Sequence, residues 1–142
     1  ASAQEIYENP RTTKVAQITN DPAMNLFEGE IVDIHLVLSP TIRLELPPHL
    51  AALPRGRYTF GIRASGITLD SAGFPFQIEL AEISGSETFL HLQHEQVHVV
   101  GLLDSVQNFD IGQTVTAGID SSSLYAFDQS GNLVASPYGG TK

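Results

Sequence analysis

The segment from His94 to His98 reads His-Glu-Gln-Val-His, the spacing of the zinc-peptidase signature His-Glu-x-x-His. On an α-helix, residues four apart share a face, so both imidazoles could bind zinc while Glu95 activates a bound water. His91 stands one helical turn earlier. The pattern therefore raises the hypothesis of a zinc metallopeptidase that uses His94, Glu95 and His98.

The same segment also has the features of a β-hairpin. Val97, Val99 and Val100 are β-branched and favour strands, and the preceding residues 88–93 alternate between two faces. A hairpin around residues 94–96 would remove the shared helical face of the two imidazoles. We therefore prefer the hairpin and keep the zinc enzyme as the less favoured alternative.

Two further groups of residues that could do chemistry lead to no catalytic assignment. His35 and His49 have no partners at metal-ligand spacing, so we expect solvated or hydrogen-bonded structural roles for them. A phosphate-binding loop needs Gly-x4-Gly-Lys followed by Ser or Thr, and neither Lys14 nor Lys142 follows a glycine. We expect no ATP hydrolysis, no nucleophile, no metal and no cofactor in this chain.

Composition excludes several classes of partner. The 142 residues carry a formal charge of −9, with 16 acidic and 7 basic side chains, which disfavours nucleic acid and anionic membranes as partners. The chain has no cysteine, so disulfides and thiolate metal sites are excluded. Because Ala1 is not a methionine and no leader pattern follows it, we expect the chain to begin at a cut.

Period-two hydrophobic patterns dominate the chain after Gly29 and predict strands. Apolar residues alternate over 32–38 and again over 42–46, with a turn at Ser39–Thr41 between them, which predicts a hairpin. Further strands are predicted at residues 58–62, 76–80, 115–119 and 124–127, and breaks are predicted at Gly73, Gly85, Gly112 and Gly131. The predicted fold class is all-β, with OB-fold-like barrels of short antiparallel strands.

The two ends of the chain have a different character. Near the N-terminus we expect a short helical turn around residues 5–7, a helix or extended linker over 11–18, and a turn at Asn20–Pro22. Beyond Pro137 the sequence Tyr-Gly-Gly-Thr-Lys has little apolar content, so residues 138–142 are expected to be disordered.

The order of several short motifs resembles a known family, the ABC-class importer ATPases for sugars and glycerol 3-phosphate. The N-terminal match to the hinge that follows their nucleotide-binding domain consists of Gln4, Ile6, Tyr7, Pro10, Val15, Ala16, Ile18, Pro22, Met24 and Asn25. Gly61–Arg63 resembles the start of the family's Gly-Ile-Arg-Pro-Glu-His motif, although Ala64, Ser65 and Gly66 replace the second half. Later matches are Gly85, Ser86, Glu87 and Thr88, and then Phe127, Asp128, Gly131 and Leu133.

This resemblance implies a C-terminal transport-associated OB (TOBE) regulatory region. It implies a hinge at 1–28 after a nucleotide-binding domain, a tandem OB-like module at 29–137 and the tail at 138–142. It further implies a homodimer, permease subunits contacted through the upstream domain, ATP and Mg²⁺ bound in that domain, and a cytoplasmic location at the inner face of the plasma membrane.

We expect interactions at three loops, whose candidate residues are Asp21, Pro22, Met24 and Asn25, then Arg63, then Gly85, Glu87 and Thr88. Their partner would be the second copy or a small-molecule or protein regulator. A small-ligand-sensing OB domain is the second hypothesis for the module.

Overall fold

The computed structural model describes residues 10–18, 24–138 and 140–141, and the chain divides into two compact units. One unit comprises Ala1–Ile62 and Ser121–Lys142, and we call it the split unit. The other comprises Arg63–Asp120, and we call it the inserted unit. Each unit holds one antiparallel β-sheet, so the predicted all-β class is confirmed.

The elements follow one another along the chain as short segments, with one long strand among them. They are α1 (Thr13–Ile18), β1 (Asn25–Val32), β2 (His35–Ser39), β3 (Ile42–Glu45), β4 (Gly56–Ile62), β5 (Ile67–Ser84), β6 (Glu87–His94), β7 (Val97–Leu103), β8 (Thr114–Ile119), β9 (Tyr125–Phe127), β10 (Leu133–Ser136) and β11 (Gly140–Thr141). Single 3-10 turns lie at Pro48–Leu50, Ala64–Gly66 and Ser121–Ser123. None of the described helices has the length and apolar character needed to cross a membrane.

The split unit contains a seven-stranded sheet in the order β11-β10-β9-β4-β1-β2-β3. Its central strand β4 pairs with β1 on one side and with β9 on the other. The side chains of Phe60 on β4 and Phe127 on β9 are fully buried, as are those of Leu36 and Ile42 further along the sheet. This core is mainly apolar, as the alternating pattern predicted, although Asn25, Ser39 and Ser136 are buried as well.

The predicted strand over 32–38 and its hairpin with 42–46 are confirmed from residue 35 onward, but the start of the strand is wrong, because the chain turns at Asp33 and Ile34. Val32 ends β1 and pairs directly with His35, the first residue of β2. Asp33 has a φ of 54°, a left-handed conformation that Asp tolerates better than most residues. Ile34, which was predicted to share a face with Leu36, is 70% exposed, whereas Leu36 is fully buried.

The segment over 11–18, predicted as a helix or an extended linker, forms helix α1 and packs into the split unit. Its Ala16 is fully buried against Met24, Tyr125 and Phe127. The residues just before it are also bonded to the start of β10, since the Leu133 amide donates a hydrogen bond to the Arg11 carbonyl at 2.8 Å. The turns predicted around residues 5–7 and at Asn20–Pro22 lie outside the described residues.

The tail differs from the disorder expected of it. Gly140 and Thr141 form β11 and pair with Ser136 and Ala135 of β10. Pairing of this kind uses backbone donors and acceptors and needs no apolar side chains. The low apolar content of the tail therefore did not prevent it from adding a short strand to the sheet.

The inserted unit contains a four-stranded sheet in the order β7-β6-β5-β8. Its strand β5 is 18 residues long and pairs with both β6 and β8, with register shifts between Leu69 and Phe74 and between Ile78 and Leu80. The predicted break at Gly73 is wrong, because Gly73 lies inside β5 at the first of these irregularities. The other predicted breaks are confirmed, since Gly85, Gly112 and Gly131 lie in turns with positive φ.

Replacing Gly73 by alanine tests the close approach at this bulge. A Cβ at Gly73 would lie 2.1 Å from the Ala117 carbonyl oxygen, which is backbone and cannot rotate away. We expect Gly73→Ala to lower the free energy of unfolding by about 1–3 kcal/mol in urea titrations. The control Gly118→Ala meets only ordinary contacts at 3.4 Å and should change stability by less than about 0.5 kcal/mol. Equal stabilities of the two variants would contradict the bulge.

Tyr58 on β4 gives the split unit a pH dependence in the alkaline range. Burial raises the pKa of Tyr58 above its ordinary value of 10.0, and the positive charge of Arg55 offsets part of that rise. The native state therefore holds the phenol proton more tightly than the unfolded state does. It follows that the stability contributed by this group is complete below pH 10.0 and is lost as the pH rises beyond it.

We expect Tyr58→Phe to flatten the alkaline loss of stability in thermal melts across this range. At neutral pH the variant should lose about 1 kcal/mol, because the Tyr58 hydroxyl donates a 2.5 Å hydrogen bond to the Pro54 carbonyl. Tyr138→Phe, at a tyrosine that is 59% exposed, serves as the control and should follow the parent protein. An unchanged alkaline limb in Tyr58→Phe would refute the assignment.

Candidate functional site

The His-Glu-x-x-His segment forms the tip of the β6–β7 hairpin in the inserted unit. His94 ends β6, Glu95 and Gln96 form the turn, and His98 is the second residue of β7. Glu95 has a φ of 53°, as a tight turn requires. The zinc-binding helix is therefore wrong and the hairpin is confirmed, because β-branched residues follow the turn and continue as a strand.

The histidines of this hairpin contact separate partners. His91 Nε2 lies 2.6 Å from Glu82 Oε1, and His98 Nδ1 lies 3.0 Å from Glu79 Oε1. Within the described part of the chain, no three histidine, aspartate or glutamate side chains form a group that could hold a metal ion. The zinc hypothesis has no geometric support in the hairpin.

His94 is held more firmly than the other two. Its Nδ1 lies 2.5 Å from the Pro75 carbonyl oxygen, and its ring lies 5.5 Å from the ring of Phe76. Because a carbonyl oxygen can only accept, Nδ1 carries the proton and donates it to Pro75. This directs Nε2 to the side of Glu95, whose Oε1 is 3.6 Å away. His94, only 11% exposed, thus ties the hairpin tip to β5.

His49 has the structural role that we expected of it. Its Nε2 lies 2.7 Å from the Leu124 carbonyl oxygen, to which it donates a hydrogen bond within the split unit. His35 is a β2 residue placed opposite Val32 and Glu45 on the two neighbouring strands. Both residues thus occupy positions of the framework of the split unit.

The hinge residues proposed for interactions fall partly within the core. Met24 is 3% exposed and packs with Ala16, Tyr125 and Phe127. Asn25 is 8% exposed and begins β1 opposite Ile62. Asp21 and Pro22 lie outside the described residues. The structure thus places Met24 and Asn25 where their side chains are covered by their own chain.

The remaining candidates lie in the inserted unit at two places. Arg63 precedes the 3-10 turn at Ala64–Gly66, and its carbonyl accepts a hydrogen bond from the Gly66 amide. Gly85 lies in the β5–β6 turn, and Glu87 begins β6 opposite Ser84. Gly85, Glu87 and Thr88 lie near one another simply because they are close in sequence around this turn.

Thr88 is fully buried and organises the loop that follows β7. Its hydroxyl donates to the Ser105 carbonyl at 2.8 Å and accepts from the Gln107 amide at 3.1 Å. These two hydrogen bonds use the hydroxyl as both donor and acceptor. The side chain therefore holds its own loop.

Sequence reasoning did not find the two carboxylate–imidazole pairs on β5, β6 and β7. Their signal is weak, because Glu79 and Glu82 are separated from His98 and His91 by many residues and meet them only through strand pairing. Nor did it find where the charge is concentrated. The inserted unit carries eight carboxylates and one basic side chain, Arg63, and so accounts for −7 of the formal charge of −9.

Comparison with known proteins relates the chain to import proteins. No protein-family model matches it. It is 28% identical over 140 residues to the sn-glycerol-3-phosphate import ATP-binding protein UgpC of Brucella abortus. This alignment covers 92% of this chain and 37% of the relative. This chain is homologous to part of an importer's ATP-binding subunit. The resemblance in the sequence motifs is thus confirmed.

Relatives from other bacteria support the same relationship. The protein of the same description from Pectobacterium atrosepticum is 29% identical over 134 residues, which are 91% of this chain and 38% of the relative. That of Bordetella pertussis is 32% identical over 126 residues, which are 82% of this chain and 34% of the relative. The chain therefore spans little more than a third of the length of these relatives.

Replacing Thr88 by valine tests whether its hydroxyl is structural. The change keeps the shape but leaves the Ser105 carbonyl and the Gln107 amide without their partner, so we expect a loss of about 1–3 kcal/mol in unfolding free energy. Thr88→Ser keeps the hydroxyl and should lose only about 1 kcal/mol. The exposed Thr116→Val is the control in the same urea titrations. If Thr88→Val matched this control, the structural role would be refuted.

Proposed function

We propose that the chain is the regulatory and dimerisation module of the ATP-binding subunit of an ABC importer for glycerol phosphate or sugars. The observation that carries the proposal is that 92% of the chain aligns with about 37% of an import ATP-binding protein. The all-β architecture is compatible with a module that binds and regulates. In this proposal the hinge, the TOBE module and the tail keep the bounds 1–28, 29–137 and 138–142.

The module itself has no ATPase activity in this proposal. Its sequence lacks the glycine-rich loop and lysine that cradle phosphates, since Lys14 and Lys142 both follow threonine. The residues present therefore do not fit ATP and Mg²⁺, which we assign to a domain upstream in the natural protein. That domain would also contact the membrane permease subunits at the cytoplasmic face of the plasma membrane.

The mechanism we favour is mechanical coupling between two copies. Modules that touch across a dimer can bias how readily the attached nucleotide-binding domains close, without taking part in the chemistry. A contact of this kind needs exposed apolar side chains. The split unit has two at the β1–β2 turn, where Val32 is 40% exposed and Ile34 is 70% exposed.

The distribution of charge favours the split unit as the place of self-association. Two inserted units brought face to face would set −7 against −7, and like charges repel within the screening length of about 10 Å at 0.1 M salt. The split unit carries eight acidic and six basic side chains, a formal charge of only −2. We therefore assign the dimer contact to the β1–β2 turn.

Sedimentation velocity of the 142-residue chain tests this assignment. We expect the chain to show a monomer–dimer equilibrium. The double variant Val32→Thr/Ile34→Thr should weaken dimerisation about tenfold or more, because it removes apolar contact area. The matched control is Ile111→Thr, which alters an isoleucine of the inserted unit that is 73% exposed. A chain that stays monomeric at every concentration would refute the dimerisation role.

The reading frame upstream of Ala1 tests the proposal as a whole. We expect it to encode a phosphate-binding loop, and the purified 142-residue chain to neither bind nor hydrolyse ATP. A frame without such a loop, or ATP hydrolysis by the chain alone, would overturn the assignment to an importer subunit.

A further inference from the structure

An open depression of about 270 Å³ lies beside the β6–β7 turn of the inserted unit. We call it the hairpin pocket. It lies among the ends of β5 and β6 and the start of β8, and its polar lining residues are Gln77, Gln93, His94, Glu95 and Thr114. Its volume approaches that of the smaller ligand sites in proteins, which begin at about 300 Å³.

Three of these residues form a polar row across the sheet. Gln77 on β5 is directly opposite Gln93 on β6 and, on its other side, directly opposite Thr114 on β8. Residues at paired positions place their side chains on the same face of a sheet. Two amides and a hydroxyl thus lie side by side along one wall, where they offer both donors and acceptors.

The rim of the pocket is fixed before any ligand arrives. Gln93 Nε2 donates to the Glu95 carbonyl at 2.7 Å, which orients that amide and the turn together. A preformed arrangement of this kind reduces the ordering cost of binding a small molecule.

Charge decides the class of ligand. The inserted unit carries −7, so it repels phosphates and carboxylates. Glu95 is the one carboxylate among the lining residues, and its Oε1 lies 3.6 Å from His94 Nε2. A cation would therefore have a single carboxylate ligand, which also faces an imidazole. Amides and hydroxyls instead suit uncharged hydroxyl groups, since each can donate and accept.

We infer that the hairpin pocket is a binding site for a small neutral polyol or sugar. Neighbouring hydroxyls of such a ligand would bond to Gln77, Gln93 and Thr114, and Glu95 would accept from a further hydroxyl. The inference stands apart from the importer assignment, because the pocket lies in the inserted unit and the proposed dimer contact lies in the split unit.

An amide-detected NMR titration of the 142-residue chain with glycerol and with glucose tests the inference. We expect saturable shifts in the side-chain amides of Gln77 and Gln93 and in the backbone amide of Thr114. sn-Glycerol 3-phosphate and ethanolamine are the charged comparison ligands and should bind at least tenfold more weakly. Shifts that grow without saturation and spread over the whole surface would overturn the site, and tighter binding of either charged compound would overturn the ligand class.

Variants locate the binding. Gln77→Ala/Thr114→Ala should weaken the polyol at least tenfold, while Thr116→Ala, two residues further along β8 and outside the pocket lining, should bind like the parent. Melting of each variant checks that it is folded. Binding that survives the double variant would refute the pocket. Sedimentation of the same variants, expected to be unchanged, separates this outcome from failure of the dimer assignment.

Discussion

The pairing of β4 with both β1 and β9 is the constraint on which the split unit depends. β4 (residues 56–62) pairs with β1, which precedes it in the sequence, and with β9, which follows the inserted unit. Two glycines of these strands leave room for side chains that pack over them: a Cβ at Gly29 would lie 2.8 Å from Leu38 Cδ2, and one at Gly61 would lie 2.6 Å from Met24 Sδ. The glycine positions therefore let Phe60, Leu38 and Met24 fill the interior, and the hinge segment becomes part of a core.

Much of the fold followed from hydrophobic alternation, and its failures have a physical cause. In β1 the buried positions are odd-numbered, from Asn25 to Ile31, whereas in β2 they are even-numbered at Leu36 and Leu38. The buried positions change from odd-numbered to even-numbered across the turn at Asp33–Ile34. A period-two pattern that continues through this turn therefore groups residues that do not share a face. Only the left-handed backbone of Asp33 reveals the turn, and a sequence pattern does not contain it. Gly73 was misassigned for a related reason, since glycine serves a bulge as well as a turn.

The candidate site was less predictable than the fold, because its residues meet through strand register. The motif His94–His98 is only five residues long, and the valines that follow it decided correctly for the hairpin. The hairpin pocket could not be read in this way. Gln77, Gln93 and Thr114 are far apart in the sequence, and they become neighbours only once β5 is paired with β6 on one side and β8 on the other. The irregularities in β5 set those pairings, and polar residues on an exposed face give no periodic signal of their own.

The two units differ in formal charge, whereas both expose large apolar side chains. The split unit is nearly neutral and exposes Ile34 at a hairpin turn, while the inserted unit concentrates negative charge and contains the polar pocket. Covalent continuity between the units is limited to two connections, at Ile62–Arg63 and Asp120–Ser121. The first leaves β4 and the second leads into β9, and these two strands are paired with each other. Because the pocket and the β1–β2 turn share no residue, the proposed ligand binding and the proposed self-association can be altered independently by substitution.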